Sequence, residues 1–425
     1  MRFDRGMLFP SYGYRTFLPA VALIVAGCAS GNRELHAPAA PLSRVQGAEF
    51  QQAMGAVMGP LFVGGNRLTT LENGRETFPA MLAAIRAAQR TITFEMFVFY
   101  RGKVPQAFAE ALAERARAGV KVHVLLDGVG GFKSSVYHSM LRESGVELEI
   151  YHPIWRNLPK FNNRTHRRIM VIDGRGAFVG GIGIGDEWQG DAESPSHWHD
   201  LHYRVEGPVV AQLQAIFMDN WMKSGRHLLH GPDYFPPLRP VGSALASAFY
   251  SSPEHGSRNL EIMLSLAISS ARKSLYIENA YFVPDRDTVD ALVAAAKRGV
   301  RVQIIVPGPH TDQKAVSRAS RTRWGQLLRA GVEIYEYQPT MTHTKLLIAD
   351  GLFVSVGSAN LDFRSLRANA EANLNVLDAS FAAEQTRIFQ QDLASSKRVL
   401  SEELRRKILE DAPLRTIEWV TTPLL

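Results

Sequence analysis

Two short segments of this chain set a histidine two residues ahead of a cation and seven ahead of an aspartate. They are His166, Arg168 and Asp173 within THRRIMVIDGRGAFVGG (165–181), and His343, Lys345 and Asp350 within THTKLLIADGLFVSVGSAN (342–360). His166 to His343, Asp173 to Asp350 and Gly180 to Gly357 are all separated by 177 positions, so the second segment repeats the first without slippage. Side chains of an extended strand alternate between faces, and residues two apart share one. Each segment therefore puts an imidazole beside a positive charge. The cation can clamp a phosphate oxygen while the imidazole attacks phosphorus or protonates a departing alcohol. The aspartate reads as a charge partner and strand-end anchor rather than as a base. Two copies brought together by a pseudo-twofold arrangement surround one phosphodiester with two imidazoles and two cations. A nucleophilic imidazole needs its other nitrogen hydrogen-bonded to fix the tautomer. Attack by one ring and protonation by the other call for one neutral and one charged imidazole, and hence a bell-shaped pH profile.

The elements that must hold these residues also repeat. Apolar periodicity predicts helices near 78–90, 105–118 and 134–144, alternating with strands at 91–99, 120–126 and 146–151. The second half replays this order, with helices near 258–272, 286–298 and 316–330 and strands at 274–282, 300–306 and 332–337. Alternating strands and helices predict an α/β fold, each half a mostly parallel mixed sheet flanked by helices. Between the halves, GPDYFPPLRPVGS (231–243) contains four prolines and cannot continue a helix. The expected division is a first domain at 71–232, a linker at 233–245 and a second domain at 246–425.

The 425 residues are 46% hydrophobic and 21% charged, which excludes a disordered, collagenous or coiled-coil protein. A formal charge of +7 fits a polyanionic or membrane-surface partner without demanding one. A single cysteine excludes a disulfide framework and a multi-cysteine metal site. That cysteine, Cys28, follows Arg2, Arg5, Arg15 and an apolar run from Phe17 to Ala26, the pattern of a secretory signal peptide. The run is too short for a transmembrane helix, which needs about 20 residues. Val25-Ala26-Gly27-Cys28 resembles the lipobox of bacterial lipoproteins, which implies cleavage before Cys28 and acylation of its thiol. Residues 1–27 are then a signal peptide, 28–70 an acylated N-terminus and tether, and the mature charge is +5. The expected location is the bacterial cell envelope, facing the periplasm, and Ala29 and Ser30 lean toward outer-membrane sorting.

The paired motifs resemble those of the phospholipase D superfamily, His-x-Lys-x4-Asp followed by Gly-Ser-x-Asn. The second half matches fully with His343, Lys345, Asp350, Gly357, Ser358 and Asn360. The first half has Arg168 where Lys is usual, Gly181 where Ser is usual and Gly183 where Asn is usual. FVGGIGIGDEW (178–188), HWHDLHYRVEGPVV (197–210), NAYFVPD (279–285), YEYQPTMTHTK (335–345) and GSANLDFRS (357–365) are similar to segments of bacterial cardiolipin synthases. The resemblance implies duplicated domains related by a pseudo-twofold, with one shared active site. It implies a two-step reaction through a phosphohistidine, with His166 as nucleophile and His343 as acid; near-symmetry leaves the reverse assignment open. The implied catalytic set is His166, Arg168, Asp173, His343, Lys345 and Asp350. Asp200 and Glu371, 34 and 28 residues after the two histidines, take the orienting positions. Ser358 and Asn360 join them in binding or orienting. Arg168 keeps the charge and can hold phosphate bidentately, whereas Gly181 and Gly183 remove side chains and with them one phosphate contact.

No cofactor and no metal are implied. The implied partners are a phospholipid membrane, an anionic phospholipid substrate and an alcohol or water acceptor. The expected reaction is phosphatidyl transfer, joining two phosphatidylglycerols with release of glycerol. The rivals are a phospholipase D hydrolase, a secreted nuclease, and a binding lipoprotein without catalysis. Motif spacing does not report on the acceptor, and it leaves the oligomeric state open.

Other clusters carry weaker signals. His197, His199, Asp200 and His202 could pass for metal ligands, but alternation along a strand scatters them over both faces. Gly181, Gly183 and Gly185 imitate a nucleotide loop without the helix opening that such a loop needs. Glu95 and Glu278, at equivalent strand positions, either line the site or are buried structural carboxylates. Trp155, Arg156, Pro159, Lys160 and Phe161 form an aromatic, basic loop suited either to a lipid headgroup layer or to packing on its own domain.

Overall fold

Strands apolar on both faces need cover on both, and here helices supply it. The computed structural model describes residues 44–153, 163–252 and 256–410; the signal peptide, Cys28 and the loop around Trp155 lie outside the described residues. The first half contributes strands β1 (Val63–Glu72), β2 (Thr91–Met96), β3 (Lys121–Asp127), β4 (Glu147–Tyr151), β5 (Arg168–Ile172), β6 (Gly176–Gly180) and β7 (Leu201–Glu206). The second contributes β8 (Ala244–Ser251), β9 (Ser274–Asn279), β10 (Arg301–Pro307), β11 (Glu333–Tyr337), β12 (Lys345–Ala349), β13 (Phe353–Gly357), β14 (Glu371–Leu377) and β15 (Ser396–Arg398).

The strands run in the order β15-β11-β10-β9-β12-β13-β14-β8-β1-β7-β6-β5-β2-β3-β4. Leaving aside the edge strand β15, the order is the same from either end to the middle. The two copies meet at the antiparallel β1–β8 pair, where the internal pseudo-twofold falls. The expectation of mostly parallel sheets is corrected. Parallel pairing is confined to β2–β3–β4 and β9–β10–β11. Parallel neighbours require long crossovers, which the chain makes only there; the motif strands β5 and β12 turn straight back into β6 and β13.

Three large cores hold the layers together, beside a smaller fourth that joins Leu125 and Tyr151 to Phe217 and Trp221. On one face of the first half, Phe78, Phe108 and Leu112 pack on Phe94, Met96 and Met170. The second half has its own equivalent around Leu264, Leu292, Trp324 and Leu347. On the opposite face, helices Val210–Lys223 and Ala379–Ala394 close a core to which both halves contribute, with Ile169, Val171 and Ile216 from one and Ile348, Val354 and Phe389 from the other. Met170 and its neighbours Ile169 and Val171 thus enter different cores, the alternation expected of a strand buried on both sides.

The tether assigned to residues 28–70 is shorter than the sequence suggests. Helix Ala48–Met58 buries Phe50, Met54 and Met58, at helical spacing, in the second-half core, with Phe50 edge-on to Phe353 at 5.2 Å. Residues 63–72 form β1, the first-half counterpart of β8. Gly64, Gly65 and Asn66 disguised it, because β1 begins with an irregular pairing between Val63 and Asn66. The Asn66 amide fills that break by donating to the carbonyls of Val63 and Ala244. The proline-rich segment lies against the first half, where the Tyr234 hydroxyl is 2.8 Å from His123 Nε2 and Asp233 pairs with Arg90 and Lys121.

Candidate active site

His166 and His343 stand just before β5 and β12. Those strands begin beside the carboxyl ends of β2 and β9, with Arg168 opposite Met96 and Lys345 opposite Asn279. The crevice beyond the carboxyl ends of parallel strands is where α/β sheets bind ligands. Both histidines line one cavity of about 330 Å³ there, together with Arg168 and Asn360.

The orienting carboxylates come from the opposite halves. His166 Nδ1 donates to Glu371 at 3.0 Å, and His343 Nδ1 donates to Asp200 at 2.7 Å. The backbone makes the same exchange: His166 N–H donates to the Ala370 carbonyl and His343 N–H to the His199 carbonyl. Glu371 also accepts from Ser358 Oγ at 2.5 Å and Ser365 Oγ at 2.7 Å. Asp200 accepts from Trp188 Nε1 at 3.0 Å and the Leu201 N–H at 2.9 Å. Spacing assigned each carboxylate to a position after its own histidine, but neither bonds that histidine.

The same geometry explains the first-half glycines. A Cβ at Gly181 would lie 2.1 Å from Asp200 Oδ1, and one at Gly183 would lie 2.8 Å from Val98 Cβ. The glycines make room for the carboxylate and its surroundings, and Trp188 does for Asp200 what Ser358 does for Glu371. For Gly181 the idea of a forfeited phosphate contact is corrected, since its counterpart Ser358 turns to Glu371, whereas Asn360 is a side chain that Gly183 does lack. Asn360 does face the cavity, and among the described residues its buried Oδ1 has no partner.

Arg168 Nη2 donates to His166 Nε2 at 3.2 Å; Lys345 Nζ lies 3.1 Å from His343 Nε2 and donates to the His343 carbonyl at 2.5 Å. Burial pulls His166 down to about 4, against the attraction of Glu371 and with help from Arg168. Burial, aided by Lys345 and opposed by Asp200, pulls His343 down to about 3. Both rings are therefore neutral at pH 7, each with Nδ1–H tied to a carboxylate. The one charged imidazole that the chemistry calls for is therefore absent from the free enzyme; a bound phosphodiester anion favours the imidazolium, whose proton is taken up from solvent on binding. Burial, opposed by Asp200 and aided by Arg168, brings Lys345 down to about 7. Accordingly, kcat/KM is expected to decline as pH rises above about 4, because His343 must take up a proton to act as the acid, with a further, alkaline limb as Lys345 loses its charge near 7. Lys345→Arg should remove the alkaline limb, because a guanidinium stays charged. Rate profiles of the two proteins from pH 4 to 9 check this, and a limb near 7 surviving in the variant would assign it to another group.

Asp173 and Asp350 are outside the cavity, at the far ends of β5 and β12, which corrects their place in the catalytic set. Both have φ 53° and precede glycines at 61° and 64°. Successive left-handed residues mark a type I′ hairpin turn, for which Asp-Gly is favoured. The Asp173 carboxylate accepts from the N–H groups of Gln89, Arg90 and Thr91, and Asp350 does the same for Arg272, Lys273 and Ser274. An Asp-Gly pair between two apolar runs was the signal for this turn. Asp350→Ala is expected to cost about 1–3 kcal/mol in urea unfolding while leaving kcat of the folded fraction in place.

Glu95 and Glu278 are buried one layer behind, where each accepts at 2.5 Å from the threonine preceding a catalytic-motif histidine, Thr165 and Thr342. Burial raises both. Three of the four residues of the suggested metal cluster go to separate partners. His197 pairs with Glu193, Asp200 holds His343, and His202 is buried at β7. His199 meets Asn73 at 2.9 Å and Asp392 at 3.2 Å. His199, Glu278 and Asp392 offer ligand atoms within 4.8 Å of one another. Asp392 overrides burial to push His199 up to about 10, so the two form an ion pair, and burial raises Glu278 well above the usual carboxylate range.

Comparison with known proteins agrees with this geometry. The family model described as "Cardiolipin synthase, PLD-like domain" matches residues 81–221 and 264–393. The chain belongs to that family. This phospholipase D superfamily member is 33% identical to the cardiolipin synthase of Geobacillus kaustophilus strain HTA426, over 85% of this chain and 72% of that one. It is 34% identical to cardiolipin synthase A of Pseudomonas putida strain KT2440, over 80% and 70%. The solved phosphatidylserine synthase of Haemophilus influenzae Rd KW20 has a TM-score of 0.67 at 14% identity, covering 88% of this phospholipase D-like chain and 100% of its own, and shares its fold.

Proposed function

We propose that this enzyme is a phosphatidyltransferase that joins two phosphatidylglycerols into cardiolipin and releases glycerol. The observation that carries this reading is the pair of imidazoles, each tied at Nδ1 to a carboxylate of the other half and each beside a cation, opening on one cavity. Relatives named cardiolipin synthase, matched over most of their length, support it.

In the first step the His166 Nε2 lone pair attacks phosphorus. The bond from phosphorus to the glycerol oxygen breaks, and His343, charged on substrate binding, gives that oxygen its proton. In the second step the acceptor hydroxyl attacks the phosphohistidine, its proton returns to His343, and the bond from phosphorus to Nε2 breaks. Arg168 and Lys345 meet the non-bridging oxygens, where charge builds. Phe97, Trp188 and Trp198 line the cavity, and apolar walls of this kind favour a lipid hydroxyl over water.

No helix among the described residues is long and apolar enough to cross a membrane. The reading that an acyl chain on Cys28 holds the enzyme at the periplasmic side of the cell envelope, with the outer membrane preferred, supplies the access to lipid that the reaction needs. Purified enzyme given phosphatidylglycerol vesicles without added metal is expected to form cardiolipin and glycerol, identified by mass spectrometry. Phosphatidic acid alone would make it a hydrolase instead.

A further inference from the structure

The duplicated scaffold carries a cavity that is not duplicated. At the offset relating His166 to His343, Arg164 corresponds to Met341. The bridges Thr165–Ala370 and His199–Thr342 are likewise equivalent, so Asn369 corresponds to Trp198. The His343 flank is aromatic, with Trp188 and Trp198 at 5.3 and 5.5 Å from the His343 ring. The His166 flank is cationic, because Arg164 from one half and Arg364 from the other line the cavity beside His166.

The backbone fixes this meeting. Ala370 N–H donates to the Arg164 carbonyl at 2.9 Å, and Asn369 N–H to the Arg364 carbonyl at 2.7 Å. Arg364 Nη2 reaches Asn369 Oδ1 at 3.3 Å. Burial, and then the charge of Arg164, hold Arg364 down to about 10. Two acids stand nearby, and one of them, Asp362, also lines the cavity. Asp127 accepts from the N–H groups of Val129, Gly130 and Thr165, and Asp362 caps the helix Phe363–Arg367 through Ser365 N–H. Burial pushes both up to about 6, and both still favour the charge on Arg364.

A phosphatidylglycerol donor carries one phosphodiester, already met by the histidines, Arg168 and Lys345. We propose that Arg164 and Arg364, with Asn369, form a second anion subsite that binds the phosphate of the acceptor phospholipid and so selects it over a neutral alcohol. This inference rests on the transferase reading above. Guanidinium forks match phosphate oxygens, and a phosphate held there brings its own lipid's hydroxyl to the phosphohistidine. That hydroxyl oxygen bonds phosphorus as the bond to His166 breaks, and its proton passes to His343.

Phosphatidylglycerol vesicles supplied with ethanol offer two acceptors to one phosphohistidine. The ratio of cardiolipin to phosphatidylethanol then reads acceptor choice, whatever the rate at which the intermediate forms. Arg164→Gln and Arg364→Gln are each expected to lower this ratio about ten- to a hundredfold. Arg364→Lys, which keeps the charge and loses the fork, should lower it less. An unchanged ratio in the Gln variants overturns the subsite, even if both products fall in step, since that pattern marks donor binding or folding. Arg164 is half-buried, and its variant decides the matter should Arg364→Gln not fold. Wild-type enzyme that yields phosphatidic acid and no cardiolipin overturns the transferase reading, and the subsite with it.

Discussion

His166→Ala is expected to slow phosphatidyl transfer by about 10⁴-fold, and His343→Ala to do the same with a natural phospholipid donor. The two losses should not add, because each ring is useless without the other. They differ in what relieves them. A nitrophenyl phosphodiester has a leaving group that departs without a proton, so with that donor His343→Ala should still form the phosphohistidine, and His166→Ala should not. Labelled phosphorus retained on the protein after an alkaline quench reads the difference. Label retained by His166→Ala and lost from His343→Ala would exchange the two roles, which the near-symmetry of the halves allows.

Glu371→Gln and Asp200→Asn are each expected to slow natural transfer by about 10²–10³-fold, since an imidazole without its carboxylate loses its tautomer and orientation. The effects should cross between the halves. Glu371 bonds His166 and Asp200 bonds His343, so Glu371→Gln should impair phosphohistidine formation even from the nitrophenyl donor, whereas Asp200→Asn should be largely relieved by it. A carboxylate acting within its own half predicts the opposite pattern. Both substitutions preserve shape, and a matched thermal unfolding midpoint separates the chemical effect from a folding defect.

The crossing could not be read from sequence for a definite reason. Local pattern reports which residues share a strand face, and it placed His166 beside Arg168 and His343 beside Lys345 correctly. Asp200 and Glu371 lie 143 and 205 residues from the histidines they hold. Their pairing depends on β1 and β8 joining the two halves edge to edge. β1 itself was concealed by glycines and an asparagine whose side chain completes an irregular pairing, a role visible only once Ala244 is opposite.

The sequence by itself determined that two α/β units repeat and that each delivers an imidazole and a cation on one strand face. Those properties follow from periods of two and 3.6 residues and from a repeat without slippage. Only the tertiary structure decided three further matters. It sent Asp173 and Asp350 to hairpin turns, because a strand carries a residue five positions on to its opposite end. It showed Gly181 to be the space that Asp200 needs. It also set two arginines against two tryptophans across one cavity, because folding brings together residues that the two copies do not share.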